Sequence, residues 1–142
     1  MPEEGNRGSG PVDTELLDRI AQRLAASKRF STVALQPGSA PNSVMADLDL
    51  QYYPAIVSRA YLQVRWFTTD DFGIHYIEQH TDGQTWECRW DRHPNDHNTR
   101  GHLHPPPDAS TPGRDKTYPA DWRDVLTQVL SRLDERMQAF WG

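Results

Sequence analysis

Lysine is scarce in this sequence of 142 residues, and glutamate is the minority acidic residue. There are two lysines against 13 arginines and six glutamates against 14 aspartates, and the formal net charge is −5. Aspartate-rich, lysine-poor surfaces hold water well at high salt, so the bias favours a salt-adapted organism, although a GC-rich genome alone would also favour arginine. A negative net charge argues against nucleic-acid binding, but less strongly where salt adaptation makes the whole surface acidic.

A cysteine pair and a long apolar run are also missing, and residues 1–11 have no apolar core, so we expect no signal peptide there. Cys88 stands alone, so no disulfide forms within the chain, which is typical of a reducing cytoplasm. No apolar run approaches the roughly 18 residues of a membrane span. Residues 1–12 are rich in glycine and acidic side chains, so we expect a disordered tail there and a single α+β domain over residues 13–142.

Periodic apolar residues predict the elements of that domain. Residues 13–29 and 120–141 carry apolar side chains at helical spacing, which indicates two amphipathic helices. Four segments between them alternate apolar and polar residues, as strands with one buried face do. These segments are 44–52, 59–68, 72–80 and 84–91. We therefore expect an N-terminal helix, a four-stranded antiparallel meander, a long loop rich in histidine and proline, and a C-terminal helix packed on the sheet.

Apolar pairing between neighbouring strands predicts the hairpin registers. A three-residue loop at 81–83, with its glycine left-handed, pairs Ile74 with Trp90, whereas a one-residue slip would bring polar side chains onto the apolar face. The same rule applied to residues 69–71 pairs Trp66 with Ile74.

This register places Arg65, His75 and Arg89 in one cross-strand row on the opposite face. Two arginines beside a histidine disfavour a proton on the ring and attract an anion. That anion can be a ligand, which makes the row a binding site. It can equally be Glu87 and Asp91, which makes the row an ordinary solvated sheet face.

Residues 89–108 hold four of the six histidines, among acidic, basic and proline residues. Three interpretations stay open: a metal site, an acid–base site, and a structural loop whose histidines bond to backbone groups. The metal site would use Asp91, His93, His97, His102 and His104. Because no recognised metal-ligand spacing is present, we expect no tightly held structural metal and no cofactor.

The acid–base interpretation fits cleavage of a phosphodiester without metal, which needs a base, an acid and cations. His75, with His93 or His97 above the sheet face, would supply the catalytic base and acid. Arginine binds phosphate in bidentate fashion, and exposed aromatic rings stack on bases. The substrate-binding candidates are Arg65, Arg89, Tyr61 and Phe67.

Two motifs in the same region resemble the family of TumE-type toxins. The Arg-Trp-Asp of residues 89–91, followed by a proline and His97, resembles the family's Arg-Tyr-Asp-Asn-x-Pro-His-His motif at the end of a strand. The His-Leu-His-Pro of residues 102–105 resembles its Phe-Pro-His-His-Lys-His-like motif. The resemblance covers roughly residues 53–140 and departs at Arg92, where asparagine is usual.

The resemblance implies a small toxin encoded beside an antitoxin, here from a salt-adapted archaeon. A helix followed by an antiparallel meander is also similar to the fold of RelE-type and barnase-type ribonuclease toxins. We therefore expect a cytoplasmic, RNA-directed toxin, with metal-independent ribonuclease activity. RNA and a cognate antitoxin are its expected partners, and no membrane is. The alternatives are a non-catalytic interaction module and a metal-binding protein that uses the histidine-rich loop.

Overall fold

The computed structural model describes residues 10–38, 40–93, 101–111 and 113–142. Their backbone forms one antiparallel sheet of seven strands, which lie side by side in chain order. One α-helix precedes the strands in the sequence, and another follows them. The strands are β1 (Phe30–Gln36), β2 (Ser43–Leu48), β3 (Val57–Trp66), β4 (Phe72–His80), β5 (Thr85–Arg92), β6 (Gly101–His104) and β7 (Arg114–Asp115). The helices are α1 (Thr14–Ala25) and α2 (Trp122–Ala139).

The expected four-stranded meander is wrong, because three further strands extend the sheet at its edges. β1 is an edge strand that pairs with β2, and all of its residues except Phe30 are exposed or only partly buried. β6 and β7 lie within the segment that was expected to be one long loop. The prolines at 105–107 fall between these two strands, so they interrupt the sheet without excluding it.

Both predicted helices are confirmed, with shorter bounds than expected. α1 begins after Asp13, whose side chain accepts a hydrogen bond from the Leu16 N–H at 3.0 Å. α2 begins after Asp121, whose side chain accepts from the Arg123 N–H at 2.8 Å. Apolar side chains of both helices belong to the same buried cluster as the inward residues of β2 to β5, so the two helices cover one face of the sheet.

The register between β4 and β5 is confirmed, and the one between β3 and β4 is not. Ile74 lies opposite Trp90, and His75 lies opposite Arg89. Trp66, however, lies opposite Phe72, because five residues connect β3 to β4. β2 also ends earlier than expected, at Leu48, and Leu50–Tyr52 forms a 3-10 turn.

The two-residue shift keeps every side chain on its expected face. Arg65 therefore still shares the outer face with His75, but it lies opposite Gly73, and Gln63 takes the place beside His75. The expected single row of Arg65, His75 and Arg89 is wrong in this respect.

Candidate functional site

The outer face of the sheet, away from both helices, carries the candidate site. Across β4, β5 and β6, His75 lies opposite Arg89, and Arg89 lies opposite His104. We call these three residues the histidine–arginine row. Strand pairing fixes its order, because the outward residues of adjacent strands stand next to each other at a spacing of about 4.8 Å.

Asp91 holds the row together from the neighbouring position on β5. Its Oδ2 atom accepts a hydrogen bond from Arg89 Nε at 2.9 Å and lies 3.2 Å from His104 Nε2. The carboxylate is 6% exposed. Gly73 lies opposite Asp91 on β4, and a Cβ there would be in ordinary van der Waals contact with Oδ1, at 3.4 Å. Asp91 therefore fixes two of the three side chains of the row.

His104 is buried between two hydrogen-bond acceptors. Its Nδ1 lies 3.0 Å from the Ser110 carbonyl oxygen, and its Nε2 faces Asp91. A carbonyl only accepts, so Nδ1 carries a proton and donates. The ring is thus held at Nδ1 by a main-chain carbonyl, and its Nε2 faces a buried carboxylate.

His75, at the other end of the row, has the surroundings of a neutral ring. Its Nε2 lies 2.8 Å from Glu87 Oε1, whose other oxygen accepts from Thr85 Oγ1 at 3.2 Å. Burial lowers the pKa of His75, and this effect outweighs the opposing hydrogen bond to Glu87. A neutral ring that donates from Nε2 to Glu87 keeps its lone pair on Nδ1.

His102 lies beside the row and is the least satisfied polar side chain of the site. It is 2% exposed, and neither ring nitrogen has a hydrogen-bond partner within the described part of the chain. It stands opposite Asp91 on one side and Asp115 on the other. Its ring centre is 5.2 Å from that of His93 and 6.5 Å from that of His104. Burial and the neighbouring His93 lower the pKa of His102.

The structure separates the candidate residues that were predicted from sequence. Asp91, His93, His102 and His104 converge, and His75 and Arg89 join them through the row. Arg65 lies on the same face, half-buried. Tyr61 is half-buried under the guanidinium of Arg59, which lies 4.2 Å from its ring centre. His97 lies outside the described residues.

Phe67 corrects the prediction of an exposed stacking ring, because it is 6% exposed. It follows the end of β3, where its backbone bonds to Asp71 and bridges to Val12 instead of continuing the outer face. The alternation that placed it beside Arg65 ends at Trp66. The expected neutralisation of the arginines is partly present, since Asp91 bonds Arg89.

Sequence reasoning missed Ser110, the backbone acceptor of His104, and the need for small residues around the site. Gly113 packs against His104, where a Cβ would lie 3.0 Å from Cε1. Glycine in a proline-rich segment was a signal for such close approach. Within the described residues, no three His, Cys, Asp or Glu side chains are grouped so as to hold a metal ion. No described helix is long and apolar enough to cross a bilayer.

Comparison with known proteins gives the chain a family. No curated protein and no solved structure matches it significantly. The model of one family, described as Toxin TumE, matches residues 17–137, which include most of α1, the whole sheet and nearly all of α2. This match reaches further toward the N-terminus than the two motifs that suggested the resemblance. A toxin of this kind is expected to have a cognate antitoxin as its partner. The chain belongs to the TumE family of toxins from toxin–antitoxin systems.

Proposed function

We propose that this toxin is a metal-independent endoribonuclease whose site is the histidine–arginine row. One observation carries the proposal: two imidazoles flank an arginine across three neighbouring strands, one beside Glu87 and one beside Asp91. A general base and a general acid that work at one pH need opposite protonation states, and the proposal assigns the neutral ring to His75 and the protonated ring to His104.

His75 is the general base in this proposal. Glu87 holds its Nε2–H, so the lone pair on Nδ1 is free to take the proton of a ribose 2′-hydroxyl. The 2′-oxygen then attacks the neighbouring phosphorus. Because a base must be unprotonated to act, the lowered pKa of His75 suits it to this role near neutral pH.

Arg89 binds the phosphate that is attacked. Its Nε is held by Asp91, which orients the guanidinium, and its terminal nitrogens have no hydrogen-bond partner within the described residues. A guanidinium in this state can bond the non-bridging phosphate oxygens and stabilise the charge that builds on them. Arg65 on the same face serves a neighbouring phosphate of the RNA chain.

His104 is the general acid. It gives the proton on Nε2 to the departing 5′-oxygen, as Nε2 turns from the carboxylate of Asp91 to the substrate and the Ser110 carbonyl continues to accept from Nδ1. The products are a 2′,3′-cyclic phosphate and a 5′-hydroxyl, and one proton moves from substrate to His75 for each one that leaves His104. This role replaces the one expected for His93 and His97. RNA as the substrate places the toxin in the cytoplasm.

The test is cleavage of an RNA oligonucleotide by the purified toxin in the presence of a chelator. We expect a cyclic phosphate product, no cleavage of the matching oligonucleotide that lacks the 2′-hydroxyl, and a loss of about 10²–10⁴ in rate for His75→Ala. Gln63→Ala is the matched control, because Gln63 is the cross-strand neighbour of His75 and should leave the rate unchanged.

Cleavage that needs a divalent ion, or cleavage that does not need the 2′-hydroxyl, would refute the proposed chemistry. Expression without the antitoxin separates the enzyme from a non-catalytic interaction module. Growth arrest with intact RNA would favour the module.

A further inference from the structure

The proposed cleavage does not use the buried ring of His102. A buried polar group without a hydrogen bond is unfavourable, so native proteins seldom keep one without a ligand, a water molecule or a functional reason. His102 is such a group, with both ring nitrogens buried and unpartnered within the described residues.

The surroundings of His102 favour a cation over an anion. Asp91 and Asp115 are its neighbours on the two flanking strands, and carboxylates on both sides repel a phosphate group. Without an acceptor for a second N–H, the ring is a neutral imidazole with one lone pair. A neutral imidazole is the commonest protein ligand for transition metals.

The position of His93 fits this assignment. The centres of the His93 and His102 rings are 5.2 Å apart. Two imidazoles on one tetrahedral zinc ion, with Zn–N bonds of about 2.0–2.1 Å, have ring centres roughly 5 Å apart. His104 is not available as a third ligand, because both of its nitrogens are engaged by Ser110 and Asp91.

We propose that His93 and His102 form a labile binding site for a divalent transition-metal ion such as Zn²⁺. With two imidazole ligands among the described residues and no group of three, the remaining positions are open to water. This distinguishes the site from a closed structural zinc site, which has four protein ligands.

Occupancy of this site regulates the row beside it. A cation at His102 attracts Asp91, its cross-strand neighbour, and so competes with Arg89 and His104 for the same carboxylate. Zinc is therefore an inhibitor of the toxin. This consequence rests on the proposed ribonuclease activity, whereas the binding itself does not.

The test is thermal unfolding of the purified full-length chain with ZnCl₂ alone as the probe. We expect Tm to rise by roughly 5–10 °C when free zinc is 100 times the Kd, and to return on addition of a chelator. His102→Phe should abolish the rise. This variant exchanges an unpartnered ring for an apolar one of similar shape, so its metal-free Tm should be equal to or above that of the unchanged protein.

His75→Gln is the matched control, because it alters the same face but leaves His93 and His102 intact, and it should keep the zinc-dependent rise. Nitrogen chemical shifts of the histidine rings give a second readout that needs no variant, and zinc should move those of His93 and His102. No rise in Tm up to millimolar zinc, an equal rise in His102→Phe, or shifts confined to other rings would overturn the proposal. Zinc binding that leaves RNA cleavage unchanged would refute the coupling through Asp91, whereas absence of RNA cleavage with and without zinc would count against the ribonuclease row alone.

Discussion

The Glu78–Arg136 pair fastens α2 to the sheet and allows a sharp stability test. Glu78 is completely buried, and its carboxylate accepts from Arg136 Nε at 2.8 Å and from a terminal nitrogen at 2.9 Å. The guanidinium also stacks over Trp86, 4.0 Å from the ring centre. Arg136→Met keeps most of the aliphatic volume and removes the charge, so it leaves Glu78 as a buried carboxylate without its cation.

Removing one partner of a buried ion pair typically destabilises a protein by about 3–5 kcal/mol. In the variant, Glu78 keeps hydrogen bonds from Tyr76 at 2.7 Å and His80 at 3.0 Å, which reduce the destabilisation. We therefore expect the free energy of unfolding of Arg136→Met to fall by about 3 kcal/mol at pH 7, a large share of the roughly 5–15 kcal/mol that holds a domain folded. Urea unfolding measures this difference.

The loss should depend on pH in a defined direction. Burial alone would raise the pKa of Glu78, but the hydrogen bonds from Arg136, His80 and Tyr76 together hold that pKa below its ordinary value. A lowered pKa contributes stability above the ordinary value of a glutamate and loses it as the pH falls. In Arg136→Met the main opposing group is gone, so Glu78 should protonate more readily. The gap between the two proteins should narrow from pH 7 toward pH 4.

Arg132→Met is the matched control on the same helix. Arg132 pairs with Glu135 at 3.0 Å, but both side chains are more than half exposed. Exposed pairs contribute at most about 1 kcal/mol, so this variant should be close to neutral. Replacing Glu78 as well, in Glu78→Gln with Arg136→Met, should recover part of the stability. Equal effects of Arg136→Met and Arg132→Met, or a gap that does not change with pH, would refute the reasoning.

Three further predictions concern the strands, the first helix and the site. Gly101→Ala should destabilise the fold by about 1–3 kcal/mol in urea unfolding, since its Cβ would overlap the carbonyl of Lys116, just after β7, whereas Gly38→Ala, with nothing within 4 Å, should change little. Asp13→Ala should lower the free energy of unfolding by about 1 kcal/mol, because it removes the cap of α1, and an unchanged urea midpoint would contradict this. RNA cleavage should fall as the pH drops below the ordinary histidine value, through the lowered pKa of His75. Glu87→Gln removes a partner that raises this pKa, so it should shift the acid limb of the pH–rate profile to lower pH. An acid limb at an unchanged pH would exclude His75 as the base.

Much of the sheet was predictable because its inward residues alternate without interruption. The segments around β3, β4 and β5 were found, and Asp82-Gly83 fixed the hairpin between the last two, where Gly83 has a φ of 86°. The hairpin between β3 and β4 was misjudged by two residues. Apolar pairing excludes a register slip of one residue, because that slip moves every side chain to the other face of the sheet. A slip of two residues leaves each side chain on its own face, so the apolar pattern cannot distinguish the two registers.

The site was harder to predict, because its histidines lie in a strand with a weak sequence signal. Gly-His-Leu-His is too short to show alternation, and three prolines follow it. If this segment were a loop, the position of His104 would not be fixed. Because the segment forms β6, main-chain pairing with β5 brings His104 beside Arg89. The pairing of Ser110 with His104 depends on where the chain turns after the prolines, which local sequence does not specify.

The strand order has a consequence for how this toxin reaches its active form. Every strand pairs with its neighbours in sequence, so the sheet forms by short loop closures, which favour rapid folding. The two helices, in contrast, meet across the whole chain, as when Arg23 of α1 donates to the Arg123 carbonyl of α2 at 2.8 Å and to Thr127 Oγ1 at 2.7 Å. His75, Arg89 and His104 all belong to the quickly closing part. We therefore expect the three strands that carry the row to pair before the two ends of the chain are joined.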